Sequence, residues 1–170
     1  RDEQLKEQLI KFICGCADYI IDHIGPEEGK KGINDATRCW GGMNSSSILE
    51  PIVRLYSITG KTKYFEFAKY ITDIGGTDIS NLITLAFNGD MYPYQYPVTK
   101  AYEMTSCFEG LLELYRENGN AEYLEMAESY CQDILNCEML ITGTAGGKDS
   151  VGEYWDGNVT ALKTWLNNAK

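Results

Sequence analysis

LYSITGKTKYFEFA, at 55–68, decides the fold, because LYRENGNAEYLEMA at 114–127 aligns with it at a constant offset of 59. Leu55 matches Leu114, Tyr56 matches Tyr115, Gly60 matches Gly119, Tyr64 matches Tyr123 and Ala68 matches Ala127; the same spacing pairs Glu50 with Glu109. In each copy an amphipathic helix runs into a glycine, which tolerates the left-handed cap conformation, and a second helix begins at once. The tyrosine and alanine after the turn pack the second helix against the first. A helical hairpin used twice predicts an all-α array of repeated units.

Outward from these copies, helical periodicity dominates. Leu5, Leu9, Phe12, Ile13, Cys16, Ala17, Ile20 and Ile24 recur at three- and four-residue steps, predicting one long amphipathic helix that ends near Gly25-Pro26. A polar loop, PEEGKKGINDATR, follows. The inner helix of the first hairpin is expected from about Ser45 to Ile58. Its counterpart, 99–116, is apolar on a broad face (Ala101, Met104, Phe108, Leu111) and carries a second packing strip of Cys107, Gly110 and Leu114. A helix apolar on two sides is buried on two sides, as in the inner ring of a layered array. Between the hairpins, 73–98 reads as a long connection with a short helix over 79–87, and long connections tend to be functional. Thr160 to Ala169 is expected to form a weakly amphipathic terminal helix.

The 170 residues suit one domain, and a net charge of −10 argues against nucleic acid or an anionic membrane as partner. A neutral carbohydrate is not penalised. No apolar run approaches a membrane span. The first residues lack the pattern of a signal peptide, and the six cysteines are read as reduced and structural, with Cys16, Cys107 and Cys131 inside apolar helical patterns, which favours a cytoplasmic setting. His23, the single histidine, ends the first helix, where its charge suits the helix C-terminus. It offers no catalytic triad.

Three loops carry candidate chemistry. In ITGTAGGKDSVGEYW (141–155), Gly143 is followed by three residues before Gly147-Lys148, and Asp149 stands where a phosphate loop needs a hydroxyl. The phosphate reading fails, which leaves Glu153 beside Tyr154, Trp155 and Asp156. Aromatic rings with a carboxylate can build a sugar site, the rings stacking on the sugar and the carboxyl moving a proton; the same residues also fit a surface turn with one anchoring tryptophan. CWGGMNSSS (39–47) sets Trp40 and Asn44 before an inner helix, with Asn44 or Ser45 as its cap. MYPYQYPVTK (91–100) brings Tyr94, Gln95 and Lys100 to the corresponding place in the second hairpin. Loops entering successive inner helices lie at one end of such an array, so the three are expected to meet around one pocket.

Three segments, GGMNSSSILEPIVRLYSITGKTKYFEFAKYI (41–71), KAYEMTSCFEGLLELYRENGNAEYLEMAESY (100–130) and EMLITGTAGGKDSVGEYWD (138–156), together resemble the β-L-arabinofuranosidase family. This is glycoside hydrolase family 127 and its relatives, also called the domain of unknown function 1680 family. The resemblance implies part of an (α/α)6 barrel, an incomplete toroid of helical hairpins, and retaining hydrolysis of β-L-arabinofuranosides or related plant-type glycans. It implies Glu153 as the general acid/base, while the reading of the three loops offers Trp40, Asn44, Tyr94, Gln95, Lys100, Trp155 and Asp156 as candidate sugar-binding residues. The family's zinc ligands and nucleophilic cysteine lie after this glutamate, so no metal ligand and no zinc cofactor is assigned to this chain. Ser45 stands where members often carry glutamate, and Lys100 where they often carry histidine. The chain is therefore expected to be a central piece of a larger catalytic domain, inactive alone and prone to self-association through exposed inner helices. The competing expectations are a helical-repeat module that binds a peptide or protein, and a relative that binds carbohydrate without turnover.

Overall fold

The structure is a computed structural model that describes residues 2–140, 142–146 and 153–157. The expected terminal helix over 160–169 and the Gly147-Lys148 pair lie outside them. The described residues form helices α1 (Glu3–His23), α2 (Ile33–Thr37), α3 (Met43–Ser46), α4 (Leu49–Thr59), α5 (Thr62–Ile74), α6 (Leu82–Asn88), α7 (Ala101–Asn118) and α8 (Ala121–Cys137), with single 3₁₀ turns at Cys39–Gly42 and Pro93–Gln95. Among these residues there is no strand, only isolated bridges, and the fold is all-α.

The repeat is realised as two hairpins, α4–α5 and α7–α8. Gly60 and Gly119 take φ of 66° and 70°, and their amides donate to the Tyr56 and Tyr115 carbonyls at 2.7 and 2.8 Å. Equivalent glycines thus close equivalent helices. Tyr64 and Ala68 are fully buried after the first turn, and Ala127 after the second. The Tyr64 hydroxyl donates to Asp18 at 2.8 Å, fastening α1 to the first hairpin.

Helix α7 is the centre, packed against α4 on one side and α8 on the other. Met104, Phe108 and Leu111 are buried on its broad face and Cys107, Gly110 and Leu114 along its second strip, as the two-sided pattern requires. Gly110 lies so close to α4 that a Cβ there would stand 2.4 Å from Leu49 Cγ. An apolar surface exposed on α7 is accordingly not found: of its large hydrophobics only Tyr102 is exposed.

The exposed apolar surface lies on α1 instead. Its buried residues are Cys14 and Ala17, whereas Leu5, Leu9, Phe12 and Ile13 are exposed, because α1 is covered along one flank only. The N-terminal part of the stripe read from the sequence faces outward, while Ala17, Ile20 and Ile24 pack against the core. Cys16 and Cys131 are likewise exposed rather than packed as small hydrophobes, and no disulfide joins the cysteines. The polar loop before the first hairpin contains α2, and α6 begins at Leu82 rather than 79, where Asn81 caps it by accepting from Thr84 N–H at 2.8 Å. His23 sits in the last turn of α1, its Nδ1–H donating to the Tyr19 carbonyl at 2.8 Å.

Candidate functional site

The loops entering α4 and α7 meet segment 153–157 at one end of the array. The joint is backbone: Ala101 N–H donates to the Glu153 carbonyl at 3.0 Å and Trp155 N–H to the Thr99 carbonyl at 2.9 Å, an antiparallel bridge centred on Lys100 and Tyr154. Two side chains hold the far half. The Trp155 indole is buried and donates to the Tyr130 hydroxyl at 3.0 Å, and Tyr130 in turn stacks on Phe108 with ring centroids 3.9 Å apart. Gly157 N–H donates to Oε1 of Glu138 at 3.1 Å, while the Tyr94 ring covers Gly157 so closely that a Cβ there would come within 2.7 Å of it.

Within this frame Lys100 is the hub. Its ammonium donates to Oε2 of Glu153 and lies 4.6 Å from the Trp40 ring centroid and 5.0 Å from that of Tyr154, each a cation–π distance. The Trp40 indole N–H donates to the Tyr154 hydroxyl at 3.1 Å, closing a cage around the cation. The lysine side chain is 8% exposed and that of Glu153 57%, so the cation is enclosed while the carboxylate faces solvent. The hydrogen bond to Glu153 holds the Lys100 ammonium above its usual range, against burial, which works in the other direction.

Trp40 reaches this position because the chain turns left-handed around it, with φ of 56° at Arg38, 50° at Trp40 and 87° at Gly42. Gly42 is obligatory: a Cβ there would stand 2.3 Å from Cα of Asn34. Asn44 lies inside α3 rather than capping it. The N-cap is Gly42, without a side-chain bond, and Ser45 pairs instead with the Thr37 hydroxyl at 2.9 Å.

Of the residues singled out by sequence, Glu153, Lys100 and Trp40 are brought into contact, and Trp155 forms part of the same wall from below. Asp156 follows, half-buried. Tyr94 and Gln95 stand behind the segment: Tyr94 packs on Gly157, and Gln95 Oε1 accepts the Tyr92 N–H at 2.8 Å in a local turn. Asn44 makes no described contact with Glu153; its carbonyl accepts from the Ser47 hydroxyl.

A pocket of about 580 Å³ opens beside this cluster, lined by Lys100, Glu103, Thr105, Glu153 and Trp155 with Tyr102 on its wall. The volume is in the range of small-molecule sites. A larger groove of about 670 Å³ runs along α1, but Lys11 is its only ionisable side chain apart from Cys16 and Tyr19, and it holds no carboxylate. Two further pockets carry carboxylates, Glu27 with Glu66 and Glu125 with Glu128, but neither includes a residue of the three loops that meet at Glu153.

Two buried carboxylates here escaped the sequence reading. Glu103 carries a legible signal, since it continues the buried strip Cys107, Gly110, Leu114 one turn earlier, where a charge is out of place. Glu138 carries none, being a single acid just past a helix end. Its carboxyl is fully buried and pushed up to about 7, chiefly by burial, with the Gly157 and Asp156 amides lowering it and the Asp156 charge raising it.

Among the described residues no three His, Cys, Asp or Glu side chains stand together. Cys107, one turn along α7 from Glu103, is buried, and burial pushes its thiol up to about 12.

Helical hairpins thus present the Glu153 carboxylate among aromatic rings at one end of the array. The family described as "Beta-L-arabinofuranosidase, GH127 catalytic domain" matches residues 4–163, and the chain belongs to it. No curated protein and no solved structure matches the chain.

Proposed function

We propose that this chain supplies the acid/base side of a retaining site for β-L-arabinofuranosides or related plant-type glycans, with Glu153 as the proton carrier. The observation that supports this reading is the placement of Glu153: fixed by backbone bonds to the start of α7, half open to solvent, at a pocket beside Trp40, Lys100 and Tyr154. In the first step of a retaining reaction the protonated carboxyl gives its proton to the leaving glycosidic oxygen, and in the second the carboxylate takes one from water. Lys100 orients that carboxylate through its hydrogen bond. Trp40 and Tyr154 hold Lys100 in place, and Trp155 lines the pocket.

No cysteine lines the pocket, so the group that attacks the anomeric carbon is not drawn from its described wall. The 170 residues alone are therefore expected to bind the sugar and turn over little or none. The test is a titration of the chain with methyl β-L-arabinofuranoside, followed by calorimetry, beside an assay with the p-nitrophenyl β-L-arabinofuranoside. Saturable binding with negligible nitrophenol release is expected. Release that Glu153→Gln abolishes would overturn the inactivity, and absence of binding would remove the sugar site itself.

A further inference from the structure

The proton chemistry above leaves one charged wall of the pocket unused. Lys100 is the N-cap of α7 and Glu103 lies three residues on in its first turn; both line the pocket. Glu103 is 7% exposed, yet its Oε2 meets no hydrogen-bond partner among the described residues. Lys100, its nearest cation in sequence, is committed to Glu153. The helix N-terminus offsets part of the cost of this buried charge, but a carboxylate oxygen shut away from water without a donor remains a strongly unfavourable arrangement. Such a group is completed by a ligand that donates to it.

The charges around the pocket narrow the ligand. Glu103 with Glu153 disfavours an anion, and Lys100 is already paired with Glu153. On the sugar-site reading the donor is a neutral hydroxyl. Tyr102, 75% exposed at the same pocket, adds an aromatic face against which an apolar ring surface can stack.

We propose that Glu103 is the specificity-determining residue of this pocket, its carboxylate accepting hydrogen bonds from ring hydroxyls of a neutral sugar whose glycosidic oxygen faces Glu153. The inference rests on the sugar-site reading and adds the residue that recognises the sugar. It accounts for a charge kept in a strip otherwise apolar: the carboxylate is a preformed half of a hydrogen bond. A hydroxyl-for-hydrogen change in the sugar leaves that half unpaired, which is how a buried acceptor discriminates between otherwise similar ligands.

The experiment is a binding cycle on the 170-residue chain by calorimetry, with methyl β-L-arabinofuranoside and its 2-, 3- and 5-deoxy analogues, for wild type and Glu103→Gln. Thermal melts of both proteins check that the substitution leaves the fold intact. Hydrogen bonds to a charged partner predict a loss of about 10- to 100-fold in affinity for Glu103→Gln. At least one deoxy analogue is expected to lose a similar factor on wild type and nothing further on the variant. Equal affinity of wild type and variant for the parent sugar overturns the role of Glu103 and leaves the sugar site standing. A folded wild type that binds no arabinofuranoside overturns both.

Discussion

Glu138 offers the sharpest test of how segment 153–157 is held. Its carboxyl titrates at about 7 in the folded chain, against 4.5 for an unperturbed glutamate. The folded state therefore binds this proton more tightly than the unfolded state does. The stability it contributes is complete below about pH 4.5 and is lost as pH rises through about 7. The difference of 7 − 4.5 = 2.5 units corresponds to at most about 3 kcal/mol at roughly 1.4 kcal/mol per unit. Glu138→Gln keeps an oxygen to accept the Gly157 N–H and resembles the protonated acid at every pH. Urea denaturation of both proteins at pH 5 and pH 8 gives the measurement. Relative to wild type, the glutamine variant is expected to gain about 2–3 kcal/mol between the two pH values, since contributions from all other groups cancel in the difference. A difference between the two proteins that stays constant from pH 5 to pH 8 would refute the reasoning.

Two other substitutions probe the packing beneath the site. Gly110→Ala should destabilise by about 1–3 kcal/mol through its collision with Leu49, although the same change in an open helix stabilises by about 1 kcal/mol; a raised urea midpoint would show that α4 and α7 do not approach as described. Trp155→Phe removes the hydrogen bond to Tyr130 together with part of a buried indole and should cost about 2 kcal/mol. An unchanged midpoint for that variant would mean that segment 153–157 is not anchored through the indole.

What could be read in advance was what repeats. The two hairpins were legible because Gly60 and Gly119 recur with the same apolar neighbours, and because α7 shows two buried strips that only a central position satisfies. The outward-facing stripe of α1 was not, since amphipathic period reveals that a helix has an apolar face without revealing which neighbour covers it. Helix α2 is five residues long, too short for a period to declare itself. The Asn81 cap, by contrast, was a visible start signal that Ile79, just before it, obscured. In the site, Glu153 stood out by its aromatic company, but its partner Lys100 lies 53 residues away, and no local pattern encodes that meeting. Gln95 was grouped with the pocket by proximity along the chain, whereas its side chain completes a turn. Glu103 passed as one more charge on a helix until its burial gave it meaning.

The bridge between Lys100 and Tyr154 is built from amide and carbonyl groups common to nearly every amino acid. Its geometry is therefore indifferent to what stands at 100, 153 or 154, and those positions are free to change identity without losing their places. The scaffold thus separates inheritance of position from inheritance of chemistry, so that new substrates or new proton carriers can be explored by single substitutions on a frame that does not move.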